Sequence, residues 1–114
     1  MNILIILNDP PYGTERSYNG LRLAKALSNT EAMVTVFLMA DAIVCAKNGQ
    51  TVPQGFYNIE LMLKSVIRKG EVLLCGTCMD ARGFADSDIV ADARRSTMQE
   101  LAERTLAADK VLVF

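Results

Sequence analysis

Short all-apolar runs alternate along this chain with stretches in which apolar residues recur every three or four positions. Ile3–Leu7 is an unbroken apolar run that stops at Asn8-Asp9-Pro10-Pro11-Tyr12-Gly13. A run this short, closed by turn residues, reads as a buried strand followed by a loop. From about Glu15 to Ser28, Tyr18, Leu21, Leu23, Ala24 and Leu27 trace one helical face, with Thr14 as the expected cap. Gly20 inside that helix weakens it by up to about 1 kcal/mol relative to alanine, so it marks a close helix contact. Ala32–Met39 is rich in β-branched and aromatic residues and predicts a second strand. Asp41 to Lys47 reads as a short helix stopped by Asn48-Gly49. Between Tyr57 and Lys69, Ile59, Met62, Leu63, Val66 and Ile67 give the cleanest helical spacing, ended by Arg68, Lys69 and Gly70. Val72–Cys75 is a third strand. Residues 84 to 95 fit neither period. Ser96 with Gln99 predicts a capping box before Met98, Leu101, Ala102 and Leu106, and Val111–Phe114 closes the chain as a strand. Strands alternating with helices predict a parallel sheet of about five strands, helices on both faces, and right-handed crossovers.

The length of 114 residues suits one domain, since domains run to about 100–200 residues. The apolar share is 51% without glycine, against roughly 45–50% in soluble domains with glycine included. The surplus points to a buried subunit interface. A net charge of −1 without a block of like charge removes the basic footprint of a nucleic-acid binder. The opening apolar run is too short and lacks the basic start of a signal peptide, and Ala32 to Ala46 falls short of the roughly 20 residues of a membrane span. The expectation is a soluble, cytoplasmic protein with no nucleic-acid or membrane partner. Three cysteines, an odd number, argue for free thiols in a reducing compartment.

Two of these cysteines stand at the end of the third strand, in VLLCGTCMDARG. Ligands of parallel α/β sheets gather beyond the carboxyl ends of strands, which is where Cys75 falls. A helical turn starting near Gly76 or Thr77 would offer Cys75 backbone N–H groups that favour a thiolate, and Arg82 is near enough in sequence to add positive charge. Gly76 is expected to keep the approach to the sulfur open, and Gly83 to let the backbone turn. The plain alternative is a core cysteine that ends an apolar strand, because free cysteine is commonly buried.

Zinc would need four cysteine or histidine ligands; the chain has no histidine and only Cys45 as a third thiol, so no metal is expected. Cys45 itself suits ordinary core packing. A Cys75/Cys78 redox pair fits better, since i, i+3 spacing on a helical turn suits a disulfide. Asp41 is read chiefly as a helix cap, with a place in the cleft as the alternative. Tyr12 and Arg16, after the first strand, lie at the same sheet edge and are candidate ligand contacts. The glycine patterns of nucleotide-binding loops are missing, so no organic cofactor is expected, and the lack of histidine excludes a His-activated nucleophile.

The stretches NDPPYGTERSYNGLRLAKAL, VFLMADAIVCAKNGQ, LLCGTCMDARG and MQELAERTLAADKVLVF resemble the DsrE/DsrF-like family over nearly the whole chain. That resemblance implies a single doubly wound, flavodoxin-like α/β domain spanning residues 1–114 that assembles into homotrimers or homohexamers. In its sulfur-relay members, such as TusD and DsrE, a cysteine before a loop ending in Arg-Gly carries persulfide sulfur, and counting back from Arg82-Gly83 makes Cys75 that residue. The implied activity is that of a persulfide carrier or sulfurtransferase exchanging sulfur with donor and acceptor proteins or small thiols. Cys78 departs from the relay pattern and matches homologues with C-G-T-C. A thiol redox protein or persulfide reductase using Cys75 and Cys78, and a non-catalytic oligomeric binding module, are the other readings.

Overall fold

A computed structural model describes residues 1–114. Five parallel strands form one sheet: β1 (Asn2–Leu7), β2 (Met33–Leu38), β3 (Glu71–Cys75), β4 (Arg94–Ser96) and β5 (Lys110–Val113), in the order β4-β3-β2-β1-β5. Four α-helices connect them: α1 (Arg16–Ser28), α2 (Ile59–Ile67), α3 (Gly76–Ala81) and α4 (Met98–Ala107). Two 3₁₀ segments, Ala40–Ala46 and Asp86–Asp88, complete the chain. This is the doubly wound α/β sheet that the alternation of periods predicts.

The central strands are apolar on both sides because both faces are covered. Ile3, Ile5 and Leu7 of β1, Val34, Val36 and Leu38 of β2, and Val72 and Leu74 of β3 point to one face. There they join Leu21 and Ala24 of α1, Leu63 and Val66 of α2, Cys45, and Met79 of α3 in a core of 20 buried residues. The opposite face is thinner: five buried residues, Leu4, Phe37, Leu73, Cys75 and Leu101, of which only Leu101 comes from a helix, α4. Three connections in a row step the same way across the sheet and lie on the first face. The last crosses back from β4 to β5, and a right-handed crossover then puts α4 on the second face. The exits of β3 and β4 therefore diverge to opposite faces. The crevice between them is the topological switch point of this sheet, where ligand sites of open α/β folds lie.

Several local features bear on that geometry. Gly20 lets α1 lie directly on the sheet: a Cβ there would stand 2.5 Å from Leu7 Cδ2 and 3.2 Å from the Phe114 ring. Gly70 has no room for a side chain because the Val34 carbonyl occupies the place. The expected helix at Asp41–Lys47 is a 3₁₀ segment, and the cap of α4 is displaced by one residue from the predicted Ser96–Gln99 box. Thr97 caps it, accepting the Glu100 N–H at 3.1 Å. At the start of α1 the N-cap position is Glu15, with no side-chain cap, while Thr14 Oγ1 accepts the Arg16 N–H at 3.4 Å and donates to Asp9.

The ambiguous residues 84 to 95 contain the 3₁₀ turn Asp86–Asp88 and lead into β4, three residues long, whose Arg-Arg-Ser sequence carries no apolar signature. Ion pairs anchor it instead. Arg94 makes a two-pronged contact with Glu100 of α4 (2.8 and 2.6 Å), and Ser96 Oγ donates to the same carboxylate at 2.5 Å. Arg94 first, and the Ser96 hydroxyl next, pull the Glu100 pKa from 4.5 down to about 2. A depressed carboxylate pKa contributes stability that is complete above the ordinary value and lost as pH falls through the folded one. Between pH 4.5 and 2 the wild type is therefore expected to lose more stability than Glu100→Gln, a difference that urea titrations at stepped pH would measure.

Candidate functional site

Cys75 ends β3 and is the N-cap of α3, and its strand partner in register is Ser96 at the end of β4. It thus sits at the mouth of the β3/β4 crevice. Its sulfur accepts the Cys78 backbone N–H at 3.3 Å, and the residue is 7% exposed, packed with Leu73 and Leu101. The expected helical turn is present, and the Cys78 and Thr77 amides act on the thiol in the expected direction. Their effect is outweighed. Burial first, and then the neighbouring Cys78 side chain, raise the Cys75 pKa above its ordinary 9.0, so the resting thiol is protonated near neutrality rather than poised as a thiolate.

Cys78 is half-buried on the first full turn of α3, where it packs against the cores of both sheet faces. Its sulfur accepts the Ala40 backbone N–H at 3.2 Å. Ala40 has φ of +50°, a left-handed conformation costly for a residue with a Cβ. Arg82 does not reach Cys75. Its Nε and Nη2 both hold Asp41 Oδ1 at 2.9 Å, and Nη1 donates to the Cys78 carbonyl at 3.1 Å. Asp41 accordingly spends its carboxylate on Arg82, and the 3₁₀ segment has no side-chain cap. The pair ties the β2 loop to the end of α3. Gly83, at φ of +70°, makes the expected backbone turn.

Gly76 lies close against β4. A Cβ there would lie 3.0 Å from both the Ser96 carbonyl and Arg95 Cγ, so the missing side chain serves close packing of α3 against β4. Arg95 is the residue that sequence periodicity passes over. Its Nη1 donates to the Gly76 carbonyl (3.0 Å) and to Asp80 (2.9 Å), and its Nε to Asp86 (2.9 Å), clasping both ends of α3 to the loop that follows. Two arginines beside a serine before a capping threonine were the available signal, and they resemble a solvated loop.

Other candidates lie elsewhere. Tyr12, with φ of +68°, stacks on Tyr57 at 5.0 Å, donates to Gln50 and accepts the Ile59 N–H at 3.2 Å, which locks the first loop to the start of α2. Arg16 faces Asp9 at 3.9 Å. Neither touches a cysteine. Cys45 is fully buried, and desolvation pushes its thiol up to about 12, as befits a core residue. What the site can do chemically rests on two neighbouring sulfurs, each accepting a backbone N–H. Removing the Cys78 side chain takes away part of what raises Cys75 while leaving the backbone amide that lowers it. Cys78→Ala is therefore expected to shift the pH profile of Cys75 alkylation to lower pH and to speed alkylation severalfold at pH 8, read by mass spectrometry.

The chain is similar to known proteins over nearly its whole length. Protein YchN of Escherichia coli strain K12 is 42% identical over 115 residues, covering 98% of this chain and 97% of its own. The crystal structure of the E. coli YchN protein superposes with a TM-score of 0.94 at 41% identity, over 100% of this chain and 99% of that one. A more distant relative, 26% identical over 96% of this chain and 95% of its own, is the TusC homolog of Vibrio parahaemolyticus. The profile of the DsrE/DsrF-like family matches residues 1–114, and the chain belongs to that family.

Proposed function

We propose that this protein is a cysteine-based sulfur carrier, a sulfurtransferase in reaction type, with Cys75 as the residue that accepts sulfane sulfur. The observation that carries the reading is the position of Cys75: at the switch point of the sheet, with the Cys78 N–H on its sulfur. Membership of the DsrE/DsrF-like family and the distant likeness to a TusC homolog suggest a sulfur-relay role.

In the loading step the Cys75 thiolate attacks the outer sulfur of a donor persulfide R–S–SH. The bond between the donor's sulfurs breaks, R–S⁻ leaves, and Cys75–S–SH forms. The step is thiol–disulfide exchange in form and runs without metal or organic cofactor. The nucleophile is the thiolate, and the Cys75 thiol titrates above its ordinary range, so loading accelerates as pH rises past neutrality. Donor and acceptor are sulfur-bearing proteins or small thiols.

The working unit is a homotrimer or homohexamer. Val111 and Val113 on the edge strand β5 are 38% and 64% exposed, apolar surface at an unpaired sheet edge that a second copy would cover. Static light scattering is expected to give three or six chains per particle, and a monomer at working concentration would remove the assembly from the proposal.

Incubation with a small-molecule persulfide is expected to load the chain with sulfur, read as an adduct of about 32 Da by intact mass where the sulfur is retained or as sulfide where it is released, and Cys75→Ser is expected to abolish both. Loss of the adduct in Cys78→Ser but not in Cys75→Ser would transfer the acceptor role to Cys78. No adduct on any folded, reduced variant would leave the carrier reading without support.

A further inference from the structure

The carrier reading leaves Cys78 unexplained, although the fold holds it from two sides. Its sulfur rests on the N–H of Ala40, a residue kept in a left-handed conformation it adopts at an energetic cost, and its carbonyl takes a hydrogen bond from Arg82. Asp41, next to Ala40, accepts the other side of the same guanidinium. The β2 loop and α3 thus grip one thiol between them. The Cys78 nitrogen lies 3.3 Å from Cys75 Sγ, so the first sulfur is within a side chain's reach of the second. Residues three apart on a helical turn have Cβ atoms about 5–6 Å apart, close enough for a disulfide after a small local contraction. A carrier with one working thiol needs none of this support.

We propose that Cys78 is a resolving thiol, so that the protein releases its cargo as hydrosulfide and ends the turnover as a Cys75–Cys78 disulfide. The inference rests on Cys75 being the loaded residue. Cys78 loses its proton to solvent, and its thiolate attacks Sγ, the inner sulfur of Cys75–S–SH. The bond between Sγ and the outer sulfur breaks, and the electron pair leaves with the outer sulfur as HS⁻. The sulfane sulfur is reduced, the two cysteine sulfurs are oxidised to a disulfide, and charge balances. A dithiol reductant, by two successive exchanges, returns the pair to thiols for the next cycle.

The test compares the reduced, full-length wild type with Cys78→Ala, Cys78→Ser and Cys75→Ser, each shown folded by circular dichroism. Each is treated with glutathione persulfide, freed of small molecules, and assayed for released sulfide and intact mass. The wild type is expected to release about one sulfide per chain and to lose about 2 Da as the disulfide closes, whereas both Cys78 variants retain a sulfur of about 32 Da and release none. A wild type that keeps the added sulfur with no sulfide and no disulfide, while the Cys78 variants also load, would overturn the resolving role and leave the carrier reading standing. Cys78 variants that take up no sulfur, with wild type also unloaded, would overturn both. Sulfide released equally by the wild type and Cys78→Ala would assign release to glutathione and likewise overturn the role of Cys78.

Discussion

The constraint on which the rest of the structure depends is the single reversal of chain direction across the sheet. Three connections step from β1 to β4 in one sense, and handedness keeps their helices on one face; the return to β5 must then place α4 on the other. The exits of β3 and β4 part at that reversal, and Cys75 and Ser96 stand opposite each other where they do. No other pair of neighbouring strands has exits that diverge in this way. The two-thiol turn occupies the one gap that the winding of the chain creates.

Around that gap, local forces oppose one another. Burial in the thin core of the second face disfavours the charged form of Cys75, and the amides of Cys78 and Thr77 favour it; burial prevails. This balance sets a buried sulfur that stays protonated near neutrality beside a less buried one that accepts the Ala40 N–H. The two positions are not equivalent. Arg95 and Gly76 supply the rigidity: the arginine clasps α3, and the glycine lets the helix approach β4 closely enough to be clasped. Exposed ion pairs of this kind contribute little stability singly, so their value lies in orientation.

The strands of the sheet interior were legible because burial on both faces leaves an unmistakable apolar run, and α2 because its spacing is regular. Cys75 was legible because a strand end is visible in sequence. Strand β4 was not. At the edge of the sheet it is held by Arg94–Glu100 and Arg95–Asp86 contacts rather than by apolar packing, and ion pairs between residues six and nine apart leave no period. The cap of α4 was displaced by one because Ser96 and Thr97 are both competent caps, and only the strand's claim on Ser96 decides between them.

What the sequence by itself determined is the α/β alternation, the apolar halves of each element, and a thiol pair at the end of the third strand, because these follow from periodicity and adjacency along the chain. The tertiary structure alone decided which charges meet which groups. Arg82 turns to Asp41 and not to a sulfur, Gly76 packs against β4, Tyr12 and Arg16 meet Tyr57 and Asp9 respectively, and Ala40 reaches Cys78 across 38 residues. The physical reason is range. Backbone preference and hydrophobic period act over a few neighbouring residues, whereas a side chain's partner depends on how distant segments are brought together, and the pKa of a thiol depends on how completely they exclude water.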